Sequence, residues 1–419
     1  MINKGKLTIS LTLVITFMLW LPQYQGELLS ILTLSRITAL LGTVLLAWEY
    51  MLATRAQYIE EIFDGLDTVY KVHHWVGKYG FILILLHPLT LLINAITNGL
   101  NWQIYLLPSQ VLSYSVGVYA LYTLCILLFV TLILKIPYHL WKLTHNFMGV
   151  PLLFLMIHIL LISSDVSSNG LLRIWITGFV FLGILAYLYK RFVYNRINGY
   201  EYRVESVQRA SSNAHKIRLN PKNRIVQAEP GQFIFIKTVS KSRNKELHPF
   251  TVSSREPNGT IEFIVKNLGD YTNEIKNLNP GESIVIYGPH GRFGKHFVAG
   301  EREVWIAGGI GITPFLSVMQ EYARSGKQLD VTLYYIVKNV DDFIEFERLS
   351  EYSRQIQGFT LIAHDSSVLG HVNPASFFDI RANRYVICAS NRLENSIREG
   401  LLNLGVDMTK IKSEAFSLY

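Results

Sequence analysis

Long apolar runs fill the first half of the chain and end near residue 195, after which short polar and apolar pieces alternate. Each run is close to the ~20 residues that a helix needs to cross a bilayer. The pattern therefore predicts six membrane helices, at about residues 7–24, 30–53, 72–97, 110–134, 139–163 and 171–194. The first run is the shortest. We expect it to stay as a helix and not to be removed as a signal peptide, because it lacks a small-residue cleavage site.

The second half shows two successive patterns. Strand-like pieces separated by turn signals come first and predict a small antiparallel barrel; they are YRVESVQ, HKIRLN, QFIFIKT, TIEFIVK and SIVIYG. Strands and helices then alternate to the end, which is typical of a doubly wound α/β domain. The predicted fold is thus a six-helix membrane bundle (1–197) followed by a barrel domain (198–298) and an α/β domain (299–419).

Composition and charge agree with a membrane protein. Half of the residues are hydrophobic, and the net charge is +8. That charge does not indicate a nucleic-acid-binding face, because Lys and Arg cluster at the ends of the apolar runs. Their positions predict that both termini and the whole second half are cytoplasmic, with the protein spanning the plasma membrane several times in contact with lipid. The two cysteines, Cys125 and Cys388, lie in different halves and cannot build a disulfide framework.

Four histidines lie inside two of the predicted membrane helices, where an ionisable side chain indicates function. His73 and His87 are in the third span, and His145 and His158 are in the fifth, which runs in the same direction. In each span, about 20 Å of helix separates the two histidines. Pairing His73 with His145, and His87 with His158, would hold two six-coordinate hemes, one near each leaflet.

Helical geometry complicates this hypothesis. Fourteen residues return to nearly the same face of a helix, whereas 13 do not, so the fifth span must bend or present its ligands from different sides. His74 is an alternative to His73, which we prefer on helical phase. The alternative hypothesis is that these histidines bind no heme and only form hydrogen bonds between helices.

The predicted barrel contains motifs that suit a flavin nucleotide. HPFTVSS places an aromatic ring and hydroxyl groups on a strand end, and VKNLGDYT follows it with a cation and backbone donors for a pyrophosphate. HPFT alone is also compatible with an ordinary β-bend. The candidate FAD-binding residues are His248, Pro249, Phe250, Thr251, Ser253, Ser254, Lys266, Gly269, Tyr271 and Thr272.

A second nucleotide motif opens the α/β domain. EVWIAGGIGITPF reads as a strand, a glycine-rich turn and the start of a helix, an arrangement that binds a pyrophosphate at the helix N-terminus. A purely structural turn is the alternative. The candidate nicotinamide-nucleotide residues are Gly308, Gly309, Gly311, Ile312, Thr313 and Pro314. Lys338 follows the next strand, where its cation would pair with an adenosine 2′-phosphate and favour NADPH over NADH.

In this order the two histidine pairs, HPFTVSS, VKNLGDYT, GGIGITPF and the terminal SEAFSLY resemble the NADPH oxidase and ferric reductase superfamily, especially its compact bacterial members such as those of streptococci. The resemblance covers nearly the full length. It implies a ferredoxin-reductase-like dehydrogenase half, two b-type hemes, FAD in the barrel and NADPH in the α/β domain. It also implies that His73 is the ligand of its neighbouring pair and that Cys388 lies near the nicotinamide. Phe416, or alternatively Tyr419, would cover the flavin, and Arg36 would lie near the outer heme.

The sequence also departs from the family. Cys388-Ala389-Ser390 stands where relatives have Cys-Gly-Pro, and Leu91 stands where some oxidases have a further histidine. Neither an EF-hand loop nor a long regulatory insertion is present in the sequence, so we expect activity without calcium or an obligatory cytosolic activator.

The expected function is electron transfer from NADPH through FAD and two hemes to molecular oxygen, giving superoxide on the outer side. A ferric or metal-chelate reductase with the same electron path is the alternative. A second alternative, from another functional class, is a non-catalytic heme-binding membrane protein.

Overall fold

The computed structural model describes residues 3–23, 30–239, 247–297 and 300–413. The chain divides into two compact units, Met1–Ile197 and Asn198–Tyr419. The first is helical, and the second contains the barrel and the α/β sheet.

Apolar helices build the first unit. They are α1 (Lys4–Trp20), α2 (Ile31–Leu52), α3 (Gln57–Phe63), α4 (Leu66–Thr97), α5 (Leu112–Leu132), α6 (Tyr138–His145), α7 (Gly149–Leu161), α8 (Asp165–Ser168), α9 (Gly170–Leu188) and α10 (Tyr194–Ile197).

Five stretches of the described residues are long and apolar enough to cross a membrane: Ile31–Leu52, Leu66–Thr97, Leu112–Leu132, Leu140–Leu161 and Gly170–Ile197. They coincide with the second to sixth predicted spans. The first predicted span forms α1, a helix of 17 residues. At 1.5 Å per residue it is about 26 Å long, a few Å shorter than the hydrocarbon core of a bilayer.

Helices α2 and α4 pack closely because glycines lie at their contact. A Cβ added at Gly42 would be 3.1 Å from the Ile84 side chain, and one at Gly80 would be 3.2 Å from Leu45 Cβ. Small residues at such contacts let helices approach in a membrane, where the hydrophobic effect does not drive helix association. Helix α2 thereby lies along α4, which carries two of the predicted iron ligands.

Six strands close into an antiparallel barrel in the order β1-β2-β5-β4-β3-β6. They are β1 (Gly199–Ser211), β2 (Ala214–Pro221), β3 (Phe233–Thr238), β4 (His248–Arg255), β5 (Ile261–Lys266) and β6 (Ser283–His290), with α11 (Asp270–Ile275) between the last two. The predicted barrel is confirmed. The HPFTVSS motif forms strand β4, so it is not an isolated bend.

The remaining elements form a five-stranded sheet in the order β11-β10-β7-β8-β9, with every neighbouring pair parallel. In chain order they are β7 (Arg302–Gly308), α12 (Thr313–Ser325), β8 (Asp330–Val337), α13 (Phe346–Gln355), β9 (Phe359–Asp365), α14 (Ser366–Leu369), α15 (Pro374–Phe377), β10 (Arg384–Cys388), α16 (Asn391–Asn403) and β11 (Ile411–Ser413). The winding direction reverses between β7 and β10. In open α/β sheets, ligands bind at the carboxyl ends of the strands at such a switch point.

Helix α12 joins the barrel to the sheet within the second unit. Ser317 on α12 accepts a hydrogen bond from the Gly231 N–H at 2.8 Å. Gln320, one turn further on, accepts from the Arg255 N–H at 3.0 Å and donates to the Ser254 hydroxyl at 2.8 Å. The strand with the predicted flavin motif is therefore fixed to the helix that follows the glycine-rich turn.

Candidate functional site

The structure brings the four membrane histidines together in the predicted pairs. His73 and His145 are close enough to interact electrostatically, and so are His87 and His158. We refer to these as the inner and outer histidine pairs, after the orientation predicted from loop charge. The His73 ring is half-buried, whereas His74 is exposed.

In three of these histidines the Nδ1 atom lies against an acceptor. His87 Nδ1 is 3.0 Å from the Ser35 carbonyl oxygen, and His158 Nδ1 is 2.7 Å from that of Ser113. His73 Nδ1 is 3.0 Å from the Glu49 carboxylate, at hydrogen-bond distance but without good alignment. A carbonyl can only accept, so a hydrogen bond at either contact places the proton on Nδ1; the Ser35 hydroxyl lies 2.9 Å from the same atom of His87. The Nε2 lone pairs of His87 and His158 are then available for a metal.

The inner pair contains buried polar atoms without partners. Within the described residues, the Nδ1 atoms of His73 and His145 and Oε1 of Glu49 are buried and make no hydrogen bond. Such atoms are rare in native proteins and often mark a cofactor site. The His145 ring also stacks on Trp141, with ring centroids 5.0 Å apart.

The donor set fits heme. No group of three or more His, Cys, Asp or Glu side chains that could hold a bare metal ion is found among the described residues. Two neighbouring imidazoles instead suit the iron of a porphyrin.

Helix geometry between His145 and His158 resolves the spacing problem. Helix α6 ends at His145, a 3₁₀ turn covers Asn146–Met148, and α7 then continues to Leu161. Thirteen α-helical residues would leave the two histidines about 140° apart, whereas three residues wound as a 3₁₀ turn reduce this to about 80°. The fifth span is thus distorted, as expected.

Tyrosines from two other helices hold this turn. The Tyr187 hydroxyl on α9 donates to the Asn146 carbonyl at 2.7 Å, and Tyr50 on α2 donates to the Met148 carbonyl. Gly149 provides the space, because a Cβ there would be 2.4 Å from the Tyr187 ring. The carbonyl groups that the irregular winding frees are satisfied in this way, as a lipid environment requires.

Two residues beside the histidines were not predicted from the sequence. Gly117 leaves room for His158, since a Cβ there would be 2.8 Å from its Nδ1. Glu49 is a carboxylate within the predicted span 30–53. It carries the same signal as the histidines, an ionisable group inside an apolar run.

Arg36, predicted near the outer heme, is paired with an acid. Its Nε is 3.6 Å from Asp165 Oδ2, and that oxygen also accepts from Trp20 Nε1 at 2.8 Å. Arg36 directly follows Ser35, which contacts His87. The guanidinium is therefore at the level of the outer pair, 45% exposed and partly neutralised.

The predicted flavin residues divide into two sets. His248, Pro249, Phe250 and Thr251 are half-buried on β4, and the His248 ring stacks on Tyr271 with centroids 3.7 Å apart. Ser253 and Ser254 are buried: Ser253 donates to the Glu262 carbonyl at 3.1 Å, and Ser254 accepts from Gln320. These two serines hold the strand in place, whereas the HPFT segment offers surface to a ligand.

The turn after Lys266 is closed by the side chain of Thr272, which lies within the same segment. Lys266 ends β5. The N–H groups of Leu268 and Gly269 donate to the Thr272 hydroxyl at 2.9 and 3.0 Å. The prediction was that backbone donors here bind a pyrophosphate. These two donors can do so only if the turn opens.

The glycine-rich turn lies at the switch point of the sheet. Gly308 ends β7, a 3₁₀ turn covers Gly309–Ile312, and α12 begins at Thr313 with Pro314 in its first turn, as predicted. A Cβ on Gly311 would be 1.9 Å from the Cys388 carbonyl oxygen. Only glycine therefore lets the turn pack on the carboxyl end of β10.

Other predicted nucleotide residues are buried or lie beyond the sheet. Ile312, Thr313 and Pro314 are buried. The Cys388 side chain is 2% exposed and packs in the core, and its backbone carbonyl meets the turn. Lys338 is exposed at the end of β8.

Strand β9 ends beside Lys338. The Lys338 carbonyl accepts from Ser367 N–H at 3.0 Å. A hydrogen bond from the Ser367 hydroxyl lowers the pKa of Asp365 from its ordinary value, so this sheet edge carries both a cation and an anion.

Three family models match consecutive parts of the chain. The ferric reductase like transmembrane component matches residues 38–157, the FAD-binding domain matches 200–286, and the oxidoreductase NAD-binding domain matches 305–371. Ferric reduction oxidase 8 of Arabidopsis thaliana is 31% identical over 137 residues, which cover 29% of this chain and 19% of that protein. Dual oxidase 2 of Sus scrofa is 26% identical over 173 residues, which cover 38% and 11%. The chain belongs to the NADPH oxidase and ferric reductase superfamily.

Within this superfamily member, the matched regions coincide with the site elements. The transmembrane match contains His73, His87 and His145 and ends one residue before His158. The FAD-binding match contains the HPFT segment, and the NAD-binding match contains the glycine-rich turn and Lys338. The chain therefore combines a multi-pass membrane region with domains that match FAD-binding and NAD-binding families.

Other relatives share parts of the dehydrogenase half. Sulfhydrogenase 2 subunit gamma of Pyrococcus furiosus is 30% identical over 117 residues, 28% of this chain and 39% of that protein. The chain thus spans well under half of the length of the first curated relatives it matches. Flavohemoglobin from Malassezia yamatoensis is similar in fold, with a TM-score of 0.51 and 15% identity over 91% of this chain and 96% of that one.

The predicted flavin-covering residues, Phe416 and Tyr419, lie outside the described residues, as does the SEAFSLY motif from Glu414 onward.

Proposed function

We propose that this chain is a transmembrane NADPH oxidase that takes electrons from cytoplasmic NADPH and delivers them to molecular oxygen across the plasma membrane, with superoxide as the product. The observation that carries this proposal is a pair of neighbouring histidines at each of two levels of a helical bundle, in a chain that also matches both nucleotide-binding domains. The loop charges support a cytoplasmic dehydrogenase half.

When bound, FAD supplies the conversion of a two-electron donor into single electrons, and heme supplies one-electron carriers within the bilayer. The protein's part is to hold these groups. His73 with His145 would hold one heme, and His87 with His158 would hold the other. Two imidazole ligands for each iron would suit electron transfer and not oxygen coordination.

The dehydrogenase half positions the donor. The turn at Gly308–Gly311 presents backbone donors ahead of α12, where the helix dipole also favours a pyrophosphate. Lys338 would pair with the 2′-phosphate of NADPH. The hydrogen bonds between α12 and β4 hold the flavin strand and the nicotinamide turn at a fixed separation.

A ferric or metal-chelate reductase is the second candidate. Leu91 supports it, because it replaces with an apolar side chain a histidine that some oxidases have beyond the outer ligand. Arg36 is also partly neutralised by Asp165, which weakens its attraction for an anionic product. Both candidates use the same electron path and differ only in the acceptor.

The acceptor assay separates them. We expect the purified full-length protein with FAD and NADPH to reduce cytochrome c in air in a manner that superoxide dismutase abolishes and metal chelators do not. The matched assay uses a soluble Fe(III) chelate without oxygen. Rapid chelate reduction with little superoxide in air would contradict the oxidase and favour the reductase. No NADPH oxidation at all, with FAD added, would favour the non-catalytic alternative.

A further inference from the structure

The loop that follows strand β8 is held by the barrel. It runs from residue 338 to residue 345 and contains the 3₁₀ turn Val340–Asp342. Ser212, in the turn between β1 and β2, donates its N–H to the Asp341 carbonyl at 3.0 Å and its hydroxyl to Asp342 Oδ1 at 2.9 Å. The tip of this barrel hairpin is therefore fixed to the first half of the loop.

An ion pair fixes the second half of the loop. Lys216 Nζ on β2 is 2.8 Å from Glu345 Oε1, and the two side chains are 23% and 13% exposed. The other carboxylate oxygen of Glu345 is 3.7 Å from Nη1 of Arg348, and the same nitrogen is 3.6 Å from Glu262 on β5. Because water has little access to these groups, salt screens their attraction less than that of an exposed pair.

Glu345 has an unusual backbone conformation. Its φ is +52° and its ψ is +33°, in the left-handed region that residues with a Cβ rarely adopt. It precedes α13, yet its side chain makes no capping hydrogen bond to that helix. The carboxylate is directed to the barrel instead. A strained residue persists only where its surroundings determine its conformation, and such residues cluster at functional sites.

The loop lies where a dinucleotide on the glycine-rich turn would extend. Strands β7 and β8 are parallel neighbours, and Gly308 at the end of β7 is level with Ile336 on β8. Their carboxyl ends therefore meet at one edge of the sheet. In doubly wound domains the pyrophosphate binds at the first turn, and the adenosine ribose reaches residues further along this edge. Lys338, the candidate partner of the 2′-phosphate, is the first residue of the loop.

We propose that Lys216 and Glu345 are positioning residues that hold the 338–345 loop in place for the adenosine half of the nicotinamide nucleotide. They act through the loop and not by contact with the nucleotide. The barrel that binds the flavin thereby also fixes the far end of the donor site. This inference rests on the proposed function, since it presupposes that this half of the chain oxidises NADPH.

The test is steady-state NADPH oxidation by the full-length protein with FAD, with ferricyanide as the electron acceptor. Ferricyanide takes electrons from reduced flavin directly, so the heme pairs and the physiological acceptor do not enter the measurement. In Lys216→Gln and in Glu345→Gln we expect KM for NADPH to rise about tenfold while kcat stays the same, because binding lost equally from the ground state and the transition state changes only KM. The double variant should have no higher KM than Glu345→Gln, since both changes break the same contact.

Lys222→Gln is the matched control. Lys222 directly follows β2, and its Nζ is 2.8 Å from the Glu201 carboxylate, but this pair is 45% and 48% exposed and does not involve the loop. Its KM should equal that of wild type. A purely structural role of Lys216 and Glu345 would reduce the fraction of active protein, which lowers kcat and leaves KM unchanged.

The outcomes separate this inference from the proposed function. An unchanged KM in the Lys216 and Glu345 variants, a fall in kcat without a rise in KM, or additive effects in the double variant would overturn the role of the pair. If Glu345→Gln does not fold, Lys216→Gln tests the same claim, because it leaves the Arg348 contact in place. Wild-type protein that does not reduce ferricyanide with NADPH and FAD would overturn the proposed function itself.

Discussion

Replacing His87 with leucine is expected to remove one heme and leave the other. His87 lies with His158, away from the inner pair, and its Nδ1 is held by Ser35, so the loss of its Nε2 should affect only the outer site. Heme extracted per protein should fall from about two to about one, because a single imidazole holds a six-coordinate heme poorly. The pyridine hemochrome assay on purified protein measures this ratio.

Two matched variants make the ligand assignment specific. His73→Leu should likewise remove one heme, whereas His74→Leu should keep both, since His74 is exposed beside a half-buried His73. Retention of both hemes in His87→Leu, or heme loss in His74→Leu, would show that the ligands are wrongly assigned.

Replacing Gly311 with alanine should disable the nicotinamide site. The new Cβ would be 1.9 Å from the Cys388 carbonyl oxygen and 2.7 Å from its carbon, both backbone atoms. Relief of this clash requires the turn to move away from β10, and a misplacement of about 1 Å can cost about 100-fold in rate. We expect a loss of that order in NADPH oxidation and a destabilisation of roughly 1–3 kcal/mol.

Gly309→Ala is the control within the same turn. Nothing lies within 4 Å of a Cβ at Gly309, and only its φ of +54° disfavours alanine. That backbone conformation costs roughly 1–2 kcal/mol, without a steric clash. NADPH oxidation should therefore survive in Gly309→Ala, and heme content should be unchanged in both variants. Wild-type turnover by Gly311→Ala would refute the packing argument.

Periodicity and turn chemistry predicted most of the fold. The apolar runs located α2, α4, α5, α9 and the broken α6–α7 helix, and the barrel and parallel sheet follow from alternation and turn signals. Helix α13 starts only at Phe346, because a 3₁₀ turn and the left-handed backbone of Glu345 precede it. Such a local break leaves no trace in hydrophobic spacing.

The site was predictable where a single residue type carries the signal. Histidines in an apolar helix are conspicuous, and the 13-residue spacing required the distortion that the 3₁₀ turn at Asn146 provides. The tyrosines that hold that turn, and the glycine that admits His158, could not be predicted. Their roles depend on which helices become neighbours, and one sequence does not contain that information.

Motif residues also proved unequal. Ser253 and Ser254 belong to the HPFTVSS motif, yet both face the protein interior. Burial along β4 changes in blocks, with His248–Thr251 half-buried and Val252–Ser254 buried, so a contiguous motif is not a contiguous binding surface.

The central claim is that electrons pass from NADPH through the flavin domain to hemes held by the histidine pairs. The most direct measurement is the absorption spectrum of the purified protein as NADPH is added without oxygen, with and without FAD. The account predicts heme bands that shift to the reduced form only when FAD is present and return when oxygen is admitted. Protein that shows no heme bands, or hemes that stay oxidised with NADPH and FAD both present, would contradict it.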